Sequence, residues 1–113
     1  MPWRATLATI ATAVGCYRGA PLVPPPVIYS AWYQEMKDCV GDTTAQFSRI
    51  HWFVREERVF RCGKDREAWA CFYGPHDIVL TERRAGAPST VKHEMLHDLG
   101  YKHEDEVFAR CLG

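Results

Sequence analysis

The sequence predicts one small α+β domain, in which a mainly antiparallel sheet packs with an N-terminal helix and with a second helix in the C-terminal half. Two observations predict it. Hydrophobic periodicity is helical over residues 30–40, strand-like over 49–82, and helical again beyond residue 88. The chain has 113 residues, 47% of them hydrophobic, enough to bury one core and too few for two. Lys and Arg number 14 and Asp and Glu 14, interspersed, so there is no electrostatic footprint for nucleic acid or an anionic membrane surface. No segment approaches the roughly 18 uninterrupted apolar residues of a spanning helix.

The first element is an address. Residues 1–15 read as a signal peptide: Arg4 lies in a short front, and residues 5–15 carry no charge. That apolar stretch is too short to cross a bilayer and fits the h-region of an export signal. The run Thr12, Ala13, Val14, Gly15, Cys16 resembles a bacterial lipobox, although Ala13 stands where leucine is commoner. That resemblance implies cleavage before Cys16 and a lipid on it. Residues 16–27, with Pro21, Pro24, Pro25 and Pro26, are then a stiff extended tether, and residues 28–113 the domain. A plain secretory signal is the alternative. Either way the chain is expected outside the cytoplasm, on the first reading lipid-anchored to the cell envelope, and monomeric.

Setting Cys16 aside leaves Cys39, Cys62, Cys71 and Cys111, an even number in a compartment that permits disulfides. Cys62 and Cys71 flank a polar turn region between two β-prone runs, so a cross-hairpin bridge is the simplest pairing. Cys39 with Cys111 follows by elimination. A cysteine zinc site needs close pairs such as CxxC, and none occurs.

Ser30 can cap a helix over 30–40, with Trp32, Met36 and Val40 recurring every four residues and Gly41 as the stop. Residues 49–54 alternate, with Ile50, Trp52 and Val54 on one face, as a strand does. Residues 57–62 and 68–73 form an expected hairpin around Gly63, Lys64 and Asp65, ended by Gly74 and Pro75. Residues 77–82 are a fourth strand around Ile78, Val79 and Leu80. After Gly86, Ala87 and Pro88 comes the second helix, capped by Ser89 or Thr90 and ended near Gly100. A short helix over 104–111 puts Val107, Phe108 and Cys111 toward the core.

The second helix carries the chemistry. His93, Glu94, His97, Gly100 and His103 fill every fixed position of HExxHxxGxxH. By chance, this composition produces the pattern on the order of 10⁻⁵ to 10⁻⁴ times per chain. His93 and His97 lie one turn apart, so both imidazoles can reach one Zn²⁺, while Val91, Met95 and Leu99 face the core. Glu94 points beside the ion, where a carboxylate can serve as general base. Gly100 tolerates a positive φ, letting the chain double back to bring His103 round as third ligand. Three protein ligands leave a coordination position open, as in a catalytic site.

Over residues 93–103 the chain resembles the zincin metallopeptidases, and in Gly100 and His103 it is similar to their metzincin branch. The resemblance implies His93, His97 and His103 as zinc ligands, Glu94 as base, and a peptide or protein substrate lying along an edge strand before the helix, with residues 77–82 the candidate edge. Two departures stand out. No methionine stands among the ten residues after His103, so neither the family's methionine turn nor its C-terminal subdomain is expected here. The chain would be a minimal zincin with a shallow cleft. A noncatalytic, zinc-stabilised envelope binding module is the alternative. Because the ligands must be neutral imidazoles, metal and activity are expected to be lost below roughly pH 6.

Other residues read more plainly. His51 and His76 are expected as ordinary surface or strand histidines. Asp98 is either a carboxylate supporting a ligand or an exposed charge. Tyr101, between the second and third histidines, and Tyr73, at the end of a strand, could each donate to a developing oxyanion but are not assigned to catalysis, and Trp32, Trp52 and Trp69 are expected in the core. Arg83 and Arg84 alone are too short a basic run to imply a partner.

Overall fold

The computed structural model describes residues 18–64 and 66–113; the signal expected at 1–15 and the Cys16 expected to carry a lipid fall outside them. Among the described residues no helix is long and apolar enough to cross a membrane. Helix α1 spans Ile28–Val40 and stops at Gly41, whose φ of 77° suits glycine and whose N–H bonds to the carbonyl of Lys37. It begins before Ser30, which lies inside the first turn and donates to the Val27 carbonyl at 3.2 Å. Its buried face is Tyr29, Tyr33 and Met36, while the expected core positions Trp32 and Val40 flank it. The tyrosines win the inner face because their hydroxyls find partners there, in the Ala85 carbonyl and the Asp98 carboxylate.

Six short strands follow the α+β expectation, with two changes of pairing. In chain order they are β1 (Ala20–Pro21), β2 (His51–Arg55), β3 (Phe60–Cys62), β4 (Arg66–Ala68), β5 (Ala70–Tyr73) and β6 (Asp77–Thr81). The main sheet has the order β1-β2-β6-β5, and β3 with β4 forms a separate ribbon. β1 runs antiparallel to β2, and the Leu22 N–H donates to the Trp52 carbonyl at 2.9 Å. The described part of the expected tether is therefore docked on the domain.

The hairpin expected between 57–62 and 68–73 is split at Trp69. β3 turns at Gly63, with φ of 78°, and pairs with β4, whereas β5 pairs antiparallel with β6. The tight turn at Gly63 closes the nearest ladder first, and the chain then crosses to the main sheet. The Cys62–Cys71 disulfide forms as expected, but it joins ribbon to sheet, with Cα atoms 5.7 Å apart.

β6 lies between β2, to which it is parallel, and β5, so it is a central strand and cannot be the substrate edge assigned to 77–82. Its composition explains the place. Ile78, Val79 and Leu80 are all fully buried, an unbroken apolar run suited to a strand covered on both faces. Ile78 and Leu80 join Trp52, Tyr29, Tyr33, Met36, Val91, Met95 and Leu96 in the main core, while Val79 packs with Phe60 and Cys71 on the other side.

Helix α2 spans Pro88–Asp98, with proline rather than Ser89 or Thr90 at its start. Helix α3 spans Val107–Leu112, shorter than the expected 104–111. The Cys39–Cys111 disulfide pins α3 to the end of α1, with Cα atoms 6.0 Å apart.

Candidate metal centre

α2 buries Val91, Met95 and Leu96 against the sheet and turns His93 and His97 toward a cleft. The chain then reverses. Gly100 has a φ of 105°, its N–H reaches the His97 carbonyl at 3.0 Å, and the Tyr101 N–H reaches that of Leu96 at 3.0 Å. The Asp105 carboxylate accepts the Lys102 N–H at 2.7 Å and firms the return. His103 thereby comes back over the helix. Its Nε2 lies 2.9 Å from His97 Nε2 and 3.0 Å from His93 Nε2, and the three donor atoms sit within 4.8 Å of one another. These three histidines form a cluster able to hold a metal ion.

The chemistry of the donors fits a cation. His97 Nδ1 lies 2.8 Å from the Tyr101 carbonyl, which can only accept, so Nδ1 carries the proton and Nε2 presents its lone pair inward. Nitrogens converging at these distances are brought together either by a shared proton or by a cation at the centre, and a cation uses all three at once. Tetrahedral ligands about 2.05 Å from a zinc ion would be about 3.3 Å apart, close to the separations found. Burial lowers the His93 pKa to about 4, helped by the neighbouring imidazoles and Arg66, and burial also lowers that of His97. Both are neutral near pH 7, the form that binds metal.

Glu94, on the same turn, is 7% exposed and makes no hydrogen bond among the described residues. Burial raises its carboxyl to about 7, against a downward pull from Arg66. It borders two cavities that meet at His93. One, of about 590 Å³, runs past Phe72 and Tyr73; the other, of about 620 Å³, runs past Trp69, Ser89 and Thr90. His93, Arg66 and Ala70 border both. β5 is the outer strand of the main sheet on this side, and among the described residues no strand pairs with its far edge.

Several neighbours were not legible as site residues. Phe108 of α3 packs beneath all three imidazoles, with ring centroids 4.7, 5.1 and 5.9 Å away, and supplies an apolar floor. Only its place in a short apolar helix hinted at this. Phe72 stacks on His97 at 6.2 Å. Tyr101 serves through its carbonyl, and the Tyr73 hydroxyl donates away from the site, to the Arg61 carbonyl at 3.4 Å.

Asp98 neither supports a ligand nor stands exposed. Its side chain is fully buried on the other side of α2, accepting from Tyr33 at 2.6 Å and from Arg49 at 2.9 and 3.1 Å, with His76 Nδ1 at 2.7 Å. His76 is thus part of a buried network, while His51 is an exposed strand residue beside Asp77. Trp69 is 50% exposed and not a core residue, whereas Trp52 is buried. No family model, curated protein or solved structure matches the chain.

Proposed function

We propose that this domain is an exported zinc metallopeptidase, carried to the cell envelope by the signal at 1–15 and anchored there through Cys16. One observation carries the reading: three imidazole nitrogens converge on one point with a buried carboxylate, Glu94, one residue along the same helix turn. Three imidazole nitrogens suit zinc and leave a coordination position open. The two disulfides fit an oxidising compartment.

His93, His97 and His103 would hold the ion, with the Tyr101 carbonyl fixing the tautomer of His97. When bound, zinc supplies Lewis acidity, polarising a scissile carbonyl and lowering the pKa of a water molecule. Glu94, poised near neutrality by burial, takes the proton of the attacking water and delivers it to the leaving amine. The free edge of β5, beside His93 and Glu94, offers backbone groups along which an extended peptide can add as a strand. β5 replaces the 77–82 segment in that role.

The test is zinc content by plasma mass spectrometry together with hydrolysis of a peptide library, for the chain exported into an oxidising compartment and for Glu94→Gln. About one zinc per chain is expected in both proteins, with hydrolysis in the parent alone. Turnover by zinc-loaded Glu94→Gln, or a folded parent that takes up no zinc, would overturn the proposal. A second reading, a noncatalytic binding module stapled by the metal, draws on the packing of Phe108 beneath the ligands, which couples the ion to the docking of α3. It expects zinc in both proteins and hydrolysis in neither.

A further inference from the structure

We infer that a basic cleft beside the metal centre is a subsite for a carboxylate, namely the side chain of an acidic residue in a bound peptide. This deepens the metallopeptidase reading and rests on it. The cleft is a cavity of about 500 Å³ lined by Arg58, Val59, Trp69, Thr81, Arg83 and Arg84. Three arginines line it in a chain whose net charge is 0, and no carboxylate is among the described residues that line it. Arg58 and Arg83 make no hydrogen bond or ion pair among the described residues. Arg84 lies over the Trp69 ring at 3.5 Å, a stacking that holds the guanidinium plane and leaves its N–H edges available to a planar anion.

An independent observation points the same way. Thr81, which also lines the cleft, is fully buried, and its hydroxyl has no hydrogen-bond partner among the described residues. A buried donor without an acceptor is costly, and an anion that reached it would remove that cost. The walls fit the same ligand. Val59 and Trp69 are apolar and exposed, so a group with a short aliphatic stem and a charged head matches the cleft better than a bare ion does.

The cleft is also placed for a peptide. Val59 and Trp69 line the 620 Å³ cavity that holds His93 and Glu94, so the two cavities share a wall. A chain seated at Glu94 and running through the larger cavity reaches the arginines past these two side chains. An acidic residue on one side of the scissile bond would dock there.

The test is calorimetric titration of the disulfide-bonded protein, freed of metal by a chelator, with acetyl-Ala-Glu-Glu-Ala-amide and acetyl-Ala-Gln-Gln-Ala-amide. The glutamate peptide is expected to bind about tenfold more tightly, and Arg58→Ser and Arg83→Ser each to remove about tenfold from that peptide alone. Both side chains are exposed, and unchanged thermal unfolding shows the variants to be folded. Equal affinity for the two peptides, no binding of either, or affinity indifferent to both arginines overturns the subsite. So does binding of phosphatidylglycerol vesicles through these arginines when neither peptide binds, which would make the patch a membrane contact. Because binding is measured without metal or turnover, the two ideas fail separately. A protein that selects the glutamate peptide but never hydrolyses keeps the anion site and loses the peptidase reading.

Discussion

Asp98→Ala tests how the scaffold around the site is held. The carboxylate is fully buried and accepts from Tyr33, Arg49 and His76, which come from α1, from the approach to β2 and from the turn between β5 and β6. Removing it leaves the Tyr33 hydroxyl, in a residue 1% exposed, without an acceptor, at about 1–3 kcal/mol. Arg49 and His76 are each 31% exposed, so both can turn toward water, and their loss adds about 1 kcal/mol rather than the full penalty of an orphaned buried charge. The sum is about 3 kcal/mol, or a fall in Tm on the order of 15 °C for a domain of this size. Asp98→Asn retains an acceptor for Tyr33 and should lose roughly half as much. Urea unfolding followed by far-ultraviolet circular dichroism, with the disulfides oxidised, measures both. A double-mutant cycle with Arg49→Met should show a coupling of roughly 0.5–1 kcal/mol. Destabilisation by Asp98→Ala below about 1 kcal/mol would refute the network's role. Because His97 is oriented by the Tyr101 carbonyl and not by Asp98, folded Asp98→Asn should still take up zinc; loss of the metal would refute that assignment.

Three further outcomes are expected. His103→Ala removes an exposed ligand and should weaken zinc binding by more than about a hundredfold in competition with a chromogenic chelator, with little change in the unfolding of the metal-free domain. The two disulfides should differ by loop length: replacing Cys39 and Cys111, 72 residues apart, by serine should cost about 4 kcal/mol, against about 2.5 kcal/mol for Cys62 and Cys71, 9 apart, and equal losses by urea unfolding would contradict this. On the alkaline side, burial raises Tyr29 from 10.0 to about 12, so the folded state holds a proton that the unfolded state releases. That stability is complete below pH 10 and is lost as pH rises toward 12; tyrosinate absorbance should lag behind that of the unfolded chain, and Tyr29→Phe should lose less stability over this range.

What was legible in the sequence follows from how local each signal is. The histidine spacing, the glycine stops at Gly41 and Gly100, and the Cys62–Cys71 pairing rest on a few neighbouring residues, the Cys39–Cys111 pairing follows from that one by elimination, and each appears in the structure. Strand neighbours were not legible, because a run of β-prone residues does not name its partner. A mainly antiparallel sheet with one local hairpin was the expectation, and the parallel pairing of β2 with β6, 26 residues on in the chain (His51 with Asp77), lies outside it. A cue was present: Ile78, Val79 and Leu80 do not alternate, and an unbroken apolar run marks a central strand. Asp98 was misplaced for a related reason. Adjacency to His97 suggested a shared purpose, but consecutive residues on a helix lie about 100° apart, and the partners at Tyr33 and Arg49 are 65 and 49 residues away. Arg83 and Arg84 looked too short a run to matter, and it is Arg58, brought in by the ribbon's approach, that completes the cleft.

That rotation also explains how so small a domain can hold an open site. α2 carries His93, His97 and Glu94 toward the cleft, and the same helix sends Val91, Met95 and Asp98 into the scaffold. A buried carboxylate without partners at Glu94 costs stability, and so do three crowded imidazoles; neither can be relieved without altering the site. The offsetting interactions sit where the site does not use them: the Asp98 network behind the helix, the tyrosines of α1, and a disulfide that fastens α3, with Phe108 on it, against the far side of the histidines. Site and scaffold should therefore separate under mutation. Glu94→Gln should leave the metal-free domain at least as stable as the parent near pH 7 while abolishing hydrolysis, whereas Asp98→Asn should lose stability and keep zinc. If both substitutions lowered stability and metal binding together, helix and site would be one cooperative unit, and this division of labour along α2 would be wrong.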